Sequence, residues 1–154
     1  MSDDSVWMSH LLGELEPEKK NMWSEDMNMM HGHYGVHESI EKMDKDTLRK
    51  FLKFRAGCIQ EEVDELDQAV RGKEVDAEET VDALIDICVF AIGTLDLFGV
   101  DAHKAWREVY EANMNKEIGI KKERPNPFGL PDLVKPKGWA PPIHIDNHGK
   151  LKDL

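Results

Sequence analysis

Two stretches decide how the chain is read: FRAGCIQEEVDEL (residues 54–66) and EETVDALIDICVFAIGTLDLFG (residues 78–99). At about 100° per residue, a helix over 45–71 puts Leu48, Phe51, Leu52, Cys58, Ile59, Leu66 and Ala69 on one stripe. Arg55 and Glu62 fall in the middle of that stripe and Glu65 on its flank, while Glu61 and Asp64 point away. The second stretch is apolar nearly all round, which in a water-borne helix means burial on most sides. Yet Glu79, Asp82 and Asp86 follow i, i+3, i+7 spacing along one edge, with Val89 and Gly93 below them. Burying one unpaired carboxylate costs several kcal/mol, and clustered like charges cost more, so acids facing a common interior need a compensating charge. Arg55 alone cannot supply it. A divalent hard cation with oxygen ligands does, which points to Mg²⁺, with Mn²⁺ able to substitute. A di-iron carboxylate bundle would need Glu-x-x-His on two helices, and no histidine here lies three residues after a glutamate.

Working outward, 45–71, 78–98 and 101–118 read as helices started by acids or caps and separated by RGKEVD and FGVD, whose glycines suit C′ positions. Six of the seven prolines lie after residue 120, a density no helix interior tolerates. The expected fold is therefore all-α: an antiparallel helical bundle over residues 1–120, with 1–44 as a peripheral N-terminal segment, and an irregular Pro-rich tail over 121–154 packing on it. Residues 1–44 are expected to add one or two short helices around a loop-like HGHYGVHES. No repeat of 20–50 residues and no alternating strand pattern is evident.

The chain has 154 residues, with 20 Lys+Arg against 31 Asp+Glu and a net charge of −11. That is one domain's worth of chain, and its charge repels phosphate backbones, so no nucleic-acid partner is expected. No apolar run reaches the roughly 18 residues that span a bilayer, and MSDDSVWMSH lacks a secretory start, so the expectation is a cytoplasmic protein with no membrane partner. Cys58 and Cys88 sit in apolar helical patterns and read as reduced core thiols.

The third helix carries Ala102, Ala105, Trp106 and Val109 on its apolar stripe, which continues into Asn113 and Lys116. An amide and an ammonium there suit phosphate oxygens and sugar or base edges. The tail segment VKPKGWAPPI adds Lys135, Lys137 and Trp139, a basic and aromatic mix able to fold over a nucleotide. Other positions admit two readings. Arg55 is an internal partner of Glu62 or a phosphate contact. Asp86 is a ligand of a further ion, an orienting group, or part of a polar seam between subunits. Glu61 is a base that orients water, or a solvated acid. His31, His33 and His37 read as a Gly/His-rich loop near the ligand or plainly exposed, ahead of a metal site. The Met22, Met27, Met29 and Met30 cluster reads as core filler. Trp7, Trp23, Tyr34 and Trp139 are aromatics able to stack on a base.

Glu62-x-x-Glu65 on one helix and Glu79-x-x-Asp82 on the next resemble the ExxE…ExxD signature of the MazG-like all-α nucleoside triphosphate pyrophosphohydrolases. Asn113-x-x-Lys116 is similar to the Asn-x-x-Lys element of that superfamily, and KPKGWAPP (residues 135–142) to the ending of its compact, phage-type members. The segment GLPD (residues 129–132) departs from the Gly-Lys expected there. The resemblance spans about residues 28–143. It implies Mg²⁺-dependent hydrolysis of a nucleoside triphosphate between the α and β phosphates, giving a monophosphate and pyrophosphate. It assigns Glu62, Glu65, Glu79 and Asp82 to the metal, with Asp86 beside them, and Asn113 and Lys116 to the substrate. It also implies a homodimer or homotetramer. Likeness to the phage-type members favours dGTP or GTP. Phosphoribosyl-ATP hydrolysis, or a non-catalytic metal- or nucleotide-binding helical module, are the alternatives.

Overall fold

The computed structural model describes residues 23–154; Trp7, Met22 and the remainder of 1–22 lie outside the described residues. Among these described residues, five α-helices follow in order: α1 (Trp23–His33), α2 (Val36–Glu41), α3 (Lys45–Arg71), α4 (Ala77–Leu97) and α5 (Ala102–Met114). Each of the three long helices opens on an aspartate whose side chain accepts from a backbone N–H three residues on: Asp44 from Thr47 at 2.8 Å, Asp76 from Glu79 at 3.2 Å and Asp101 from Lys104 at 2.9 Å. These are N-caps, which satisfy donors the first helical turn leaves open. The α3 bounds match the sequence pattern. Among the described residues the structure is helical apart from two short strands.

Five expectations need correction. Helix α5 stops at Met114 rather than 118; Lys116 follows the C-cap Asn115, and Glu117–Gly119 forms strand β1. It pairs antiparallel with β2 (Asp132–Val134), Ile118 opposite Leu133, so the tail is not wholly irregular. Gly119 stands opposite Asp132, and a Cβ on it would come 2.8 Å from the Cγ2 of Val134. The HGHYGVHES stretch is mostly helix rather than loop, broken only at Tyr34 and at Gly35, whose φ of 68° is left-handed. Of the methionines, Met27 is buried, but Met29 is 72% exposed and Met30 is exposed too. Finally, Gly99 is left-handed as a C′ glycine should be, but Gly72 is extended, and glycine suits it for a different reason: a Cβ there would stand 2.9 Å from the Glu74 carbonyl oxygen.

Helices α3 and α4 pack against each other, and α1 packs on α4. At the far end of this pair, Ile40, Leu48, Leu97 and the fully buried Phe98 form a cluster, closed by Leu151 and Leu154 from the chain terminus. The tail returns there because Asn147 is buried and bonds the Asp101 backbone twice, accepting from its N–H at 2.8 Å and donating to its C=O at 2.7 Å. Lys150 N–H then reaches the Phe98 carbonyl at 2.7 Å, opening a 3₁₀ turn over Gly149–Asp153. By contrast, Trp106 is 68% exposed and Val109 is also exposed, so the α5 stripe is not covered within the protomer. Among the described residues no single helix is long and apolar enough to cross a membrane; the consecutive pair α4–α5, which together pass that test, bends by 119°.

Candidate active site

The α3 stripe lies against α4 as its periodicity implies: Leu48 and Cys58 are buried, and Arg55, Ile59, Glu62, Leu66 and Ala69 are half-buried. The helices close up at Gly93. A Cβ there would stand 2.8 Å from Met27 Cε, 2.9 Å from Arg55 Nη2 and 3.1 Å from His31 Cε1, so three side chains from two helices occupy the space it leaves. Arg55 is held on α4. Its Nε donates to Thr94 Oγ1 at 2.9 Å, its Nη2 to the Phe90 carbonyl at 3.1 Å, and its guanidinium lies 4.8 Å from the Phe90 ring centre. Burial lowers its pKa. Among the described residues it makes no ion pair with Glu62.

Towards the other end of the pair the acids gather. Glu62 and Asp86 are half-buried, and Glu61, Glu65, Glu79 and Asp82 are exposed. The Glu62 carboxyl is pushed above the ordinary carboxylate range, first by loss of water and then by the charges of Glu65, Asp86, Glu61 and Asp82. That order identifies its surroundings: four other carboxylates close enough to repel it. Glu79 stands further along, where it lines an open hollow with Glu65, Asp76 and Gln68. Repulsion of a half-buried carboxylate by four neighbouring acids is what a hard divalent cation with oxygen ligands relieves.

A second group assembles at the end of α5. Lys116 Nζ donates to Asn113 Oδ1 at 2.7 Å and lies 5.5 Å from the Trp139 ring centre; Lys135 Nζ lies 4.6 Å from the same ring. Trp139 Nε1 donates to the Ala112 carbonyl at 2.7 Å, which fixes the tail to the last turn of the helix. Lys116 and Lys135, with Lys121 and Lys122, line a hollow beside the hairpin. Lys137 is exposed. Thus Asn113, Lys116 and Trp139 come together as one group. The acidic hollow and this basic one share no lining residue.

A third group was not legible in advance. Asp96 Oδ2 receives His31 Nδ1 at 2.6 Å and His37 Nε2 at 2.8 Å, while Asn28 Nδ2 donates to Oδ1 at 2.8 Å. Burial pushes the Asp96 carboxyl up, but the bonds from His31, Asn28 and His37 outweigh it and hold it below the ordinary range. His31 is buried rather than in an exposed loop. His33 packs edge-on to Tyr34, which is 73% exposed. The signal available in the sequence was Asp96 itself, the single acid in the apolar stretch of α4 that follows Asp86.

A family model described as phosphoribosyl-ATP pyrophosphohydrolase matches residues 36–113, half of the chain. The chain belongs to the phosphoribosyl-ATP pyrophosphohydrolase family. This family falls within the MazG-like all-α nucleoside triphosphate pyrophosphohydrolases, so the protein is a nucleotide pyrophosphohydrolase, and members of that superfamily are generally dependent on a divalent metal. No curated protein matches the chain. The family match runs from α2 to the last turn of α5, so it contains every acid described above and Asn113, and it ends before Lys116, the hairpin and Trp139.

Proposed function

We propose that this family member hydrolyses a (deoxy)nucleoside triphosphate, with Mg²⁺, to the monophosphate and pyrophosphate, for control of the nucleotide pool or supply of precursors. The observation that carries the proposal is the crowding of Glu65, Asp86, Glu61 and Asp82 around Glu62 at the α3–α4 packing face, inside the matched residues. Glu62, Glu65, Glu79 and Asp82 hold the metal in this reading, with Asp86 as a further ligand. The ion supplies neutralisation of the phosphate oxygens. Glu61, on the exposed side of Glu62, orients a water and takes its proton as the oxygen attacks the α-phosphorus. The bond from that phosphorus to the bridging oxygen breaks in line, and pyrophosphate leaves with the electron pair.

Lys116 and Lys135 supply positive charge to the phosphate chain, and Asn113 orients Lys116. Because both ammoniums lie over the Trp139 ring, its role in this reading is to hold the lysines rather than to stack on the base. Arg55 holds the two helices in register through Thr94 and Phe90. The acidic and basic groups meet, we propose, in a homodimer or homotetramer. The exposed apolar residues Val81, Leu84 and Ile85 on α4 and Trp106, Val109 and Tyr110 on α5 support that assembly.

For the base, the likeness of the KPKGWAPP ending to phage-type members favours dGTP or GTP. A second reading, hydrolysis of phosphoribosyl-ATP, is favoured by the description of the matching family. Pyrophosphate release from the common NTPs and dNTPs and from phosphoribosyl-ATP, each with Mg²⁺, Mn²⁺ or chelator, separates them. Metal-dependent turnover of a purine triphosphate supports the first reading, turnover of phosphoribosyl-ATP alone supports the second, and release that persists in chelator overturns the metal assignment.

A further inference from the structure

We infer that His31, His37 and Asp96 form a second metal site, separate from the acidic one, that takes a transition ion such as Zn²⁺ and clamps α1 and α2 onto α4. Three helices contribute one ligand atom each, and the two imidazole nitrogens and the carboxylate oxygen all lie within 4.8 Å of one another. Two imidazoles and a carboxylate suit Zn²⁺ and its neighbours in the first transition row, whereas Mg²⁺ prefers oxygen alone. The site is about 15 Å from Asp86, given ten residues of α4 at about 1.5 Å each, so it does not share ligands with the carboxylates on α3.

The charge balance points the same way. The Asp96 side chain is 11% exposed and that of His31 6%. Among the described residues the ion-pair partners of Asp96 are both histidines, and Arg55, the nearby cation, bonds Thr94 and Phe90 instead. Three hydrogen bonds offset the burial of this carboxylate, and a divalent ion at the point where both imidazoles converge would supply the full opposite charge that these bonds stand in for. The outer groups fit a metal site as well. Asn28 fixes the second carboxylate oxygen from α1, as partners behind a metal ligand do. His37 is 35% exposed, which leaves a path for the ion to enter.

The test uses the full chain, stripped with chelator and then held in excess Mg²⁺ while Zn²⁺ or Co²⁺ is added. One equivalent of Zn²⁺ per chain is expected, together with a visible Co²⁺ absorption of the kind that nitrogen ligands in low coordination give. Both are expected to disappear in His37→Gln, which retains an N–H donor for Asp96 and all the α3 and α4 acids, and whose helical circular dichroism reports that it has folded. Asn28→Ala is expected to bind about tenfold more weakly. Absence of Zn²⁺ uptake by the wild type, or equal uptake by folded His37→Gln, overturns the inference and leaves a purely hydrogen-bonded cluster. Because the α3 and α4 carboxylates are intact in His37→Gln, that outcome is distinct from failure of the acidic site.

Discussion

Gly93 is where the packing of α3, α4 and α1 is most exactingly tested, and Gly57 supplies its control. Both are glycines inside long helices, so replacing either by alanine brings the same intrinsic gain of about 1 kcal/mol. At Gly57 no atom lies within 4 Å of the added Cβ, and Gly57→Ala is expected to stabilise the protein by that amount. At Gly93 the added carbon meets Met27 at 2.8 Å, Arg55 at 2.9 Å and His31 at 3.1 Å. Met27 is the end of a flexible chain and can move. Arg55 can move only by giving up its bonds to Thr94 and Phe90, and the His31 ring is pinned by Asp96. Overpacking of this kind costs about 1–3 kcal/mol. Since the propensity terms cancel, the difference in unfolding free energy between the two variants measures the packing cost directly. Urea unfolding is expected to place Gly93→Ala about 2 kcal/mol below Gly57→Ala. Equal stabilities would refute the reasoning, because they would mean that the helices do not approach through this position.

The raised Glu62 carboxyl carries a sign. A folded-state pKa above the unfolded one means that ionising Glu62 works against the fold, so its contribution is greatest in acid and is lost as pH rises through the ordinary carboxylate range to the raised value. Glu62→Gln in chelator is therefore expected to melt above the wild type at neutral pH and to converge with it in acid; Mg²⁺ is expected to raise the Tm of the wild type and not that of the variant, and a lower neutral Tm in chelator would contradict the crowding. Trp139→Phe keeps a ring face but loses the bond to the Ala112 carbonyl, about 1 kcal/mol, and is expected to raise KM about fivefold with kcat unchanged; an unchanged KM would remove Trp139 from the placement of the lysines. Asn147→Ala strands the Asp101 N–H, while the Asp101 carbonyl keeps its bond from Ala105 N–H, and is expected to cost about 1–2 kcal/mol in urea unfolding, with little effect contradicting the anchoring of the tail.

What could be read from the sequence followed physical locality. Asp44, Asp76 and Asp101 start helices through bonds that span three residues, so a linear pattern contains them. The 3.6-residue period also put Arg55 and Glu62 on the inner stripe of α3, and the structure half-buries both. A period reports a face and not what lies across it. Hence Arg55 could be read as a partner of Glu62 when its bonds run to Thr94 and Phe90. The same limit hid the Asp96 cluster, whose histidines lie 65 and 59 residues away in the chain. It hid the β1–β2 pairing too, because three-residue strands on either side of a Pro-rich segment carry too little alternation to register. An apolar stripe such as that of α5 equally says nothing of which chain covers it.

The proposed metal role of the carboxylates is tested most directly by following nucleoside triphosphate turnover by phosphorus NMR, with Mg²⁺ present, for the wild type, Glu65→Ala and Asp82→Ala. We expect the wild type to give pyrophosphate and monophosphate in equal amounts, and both variants to fall by two orders of magnitude or more while remaining folded. Release of orthophosphate by the wild type, or turnover undiminished in either variant, would contradict the account.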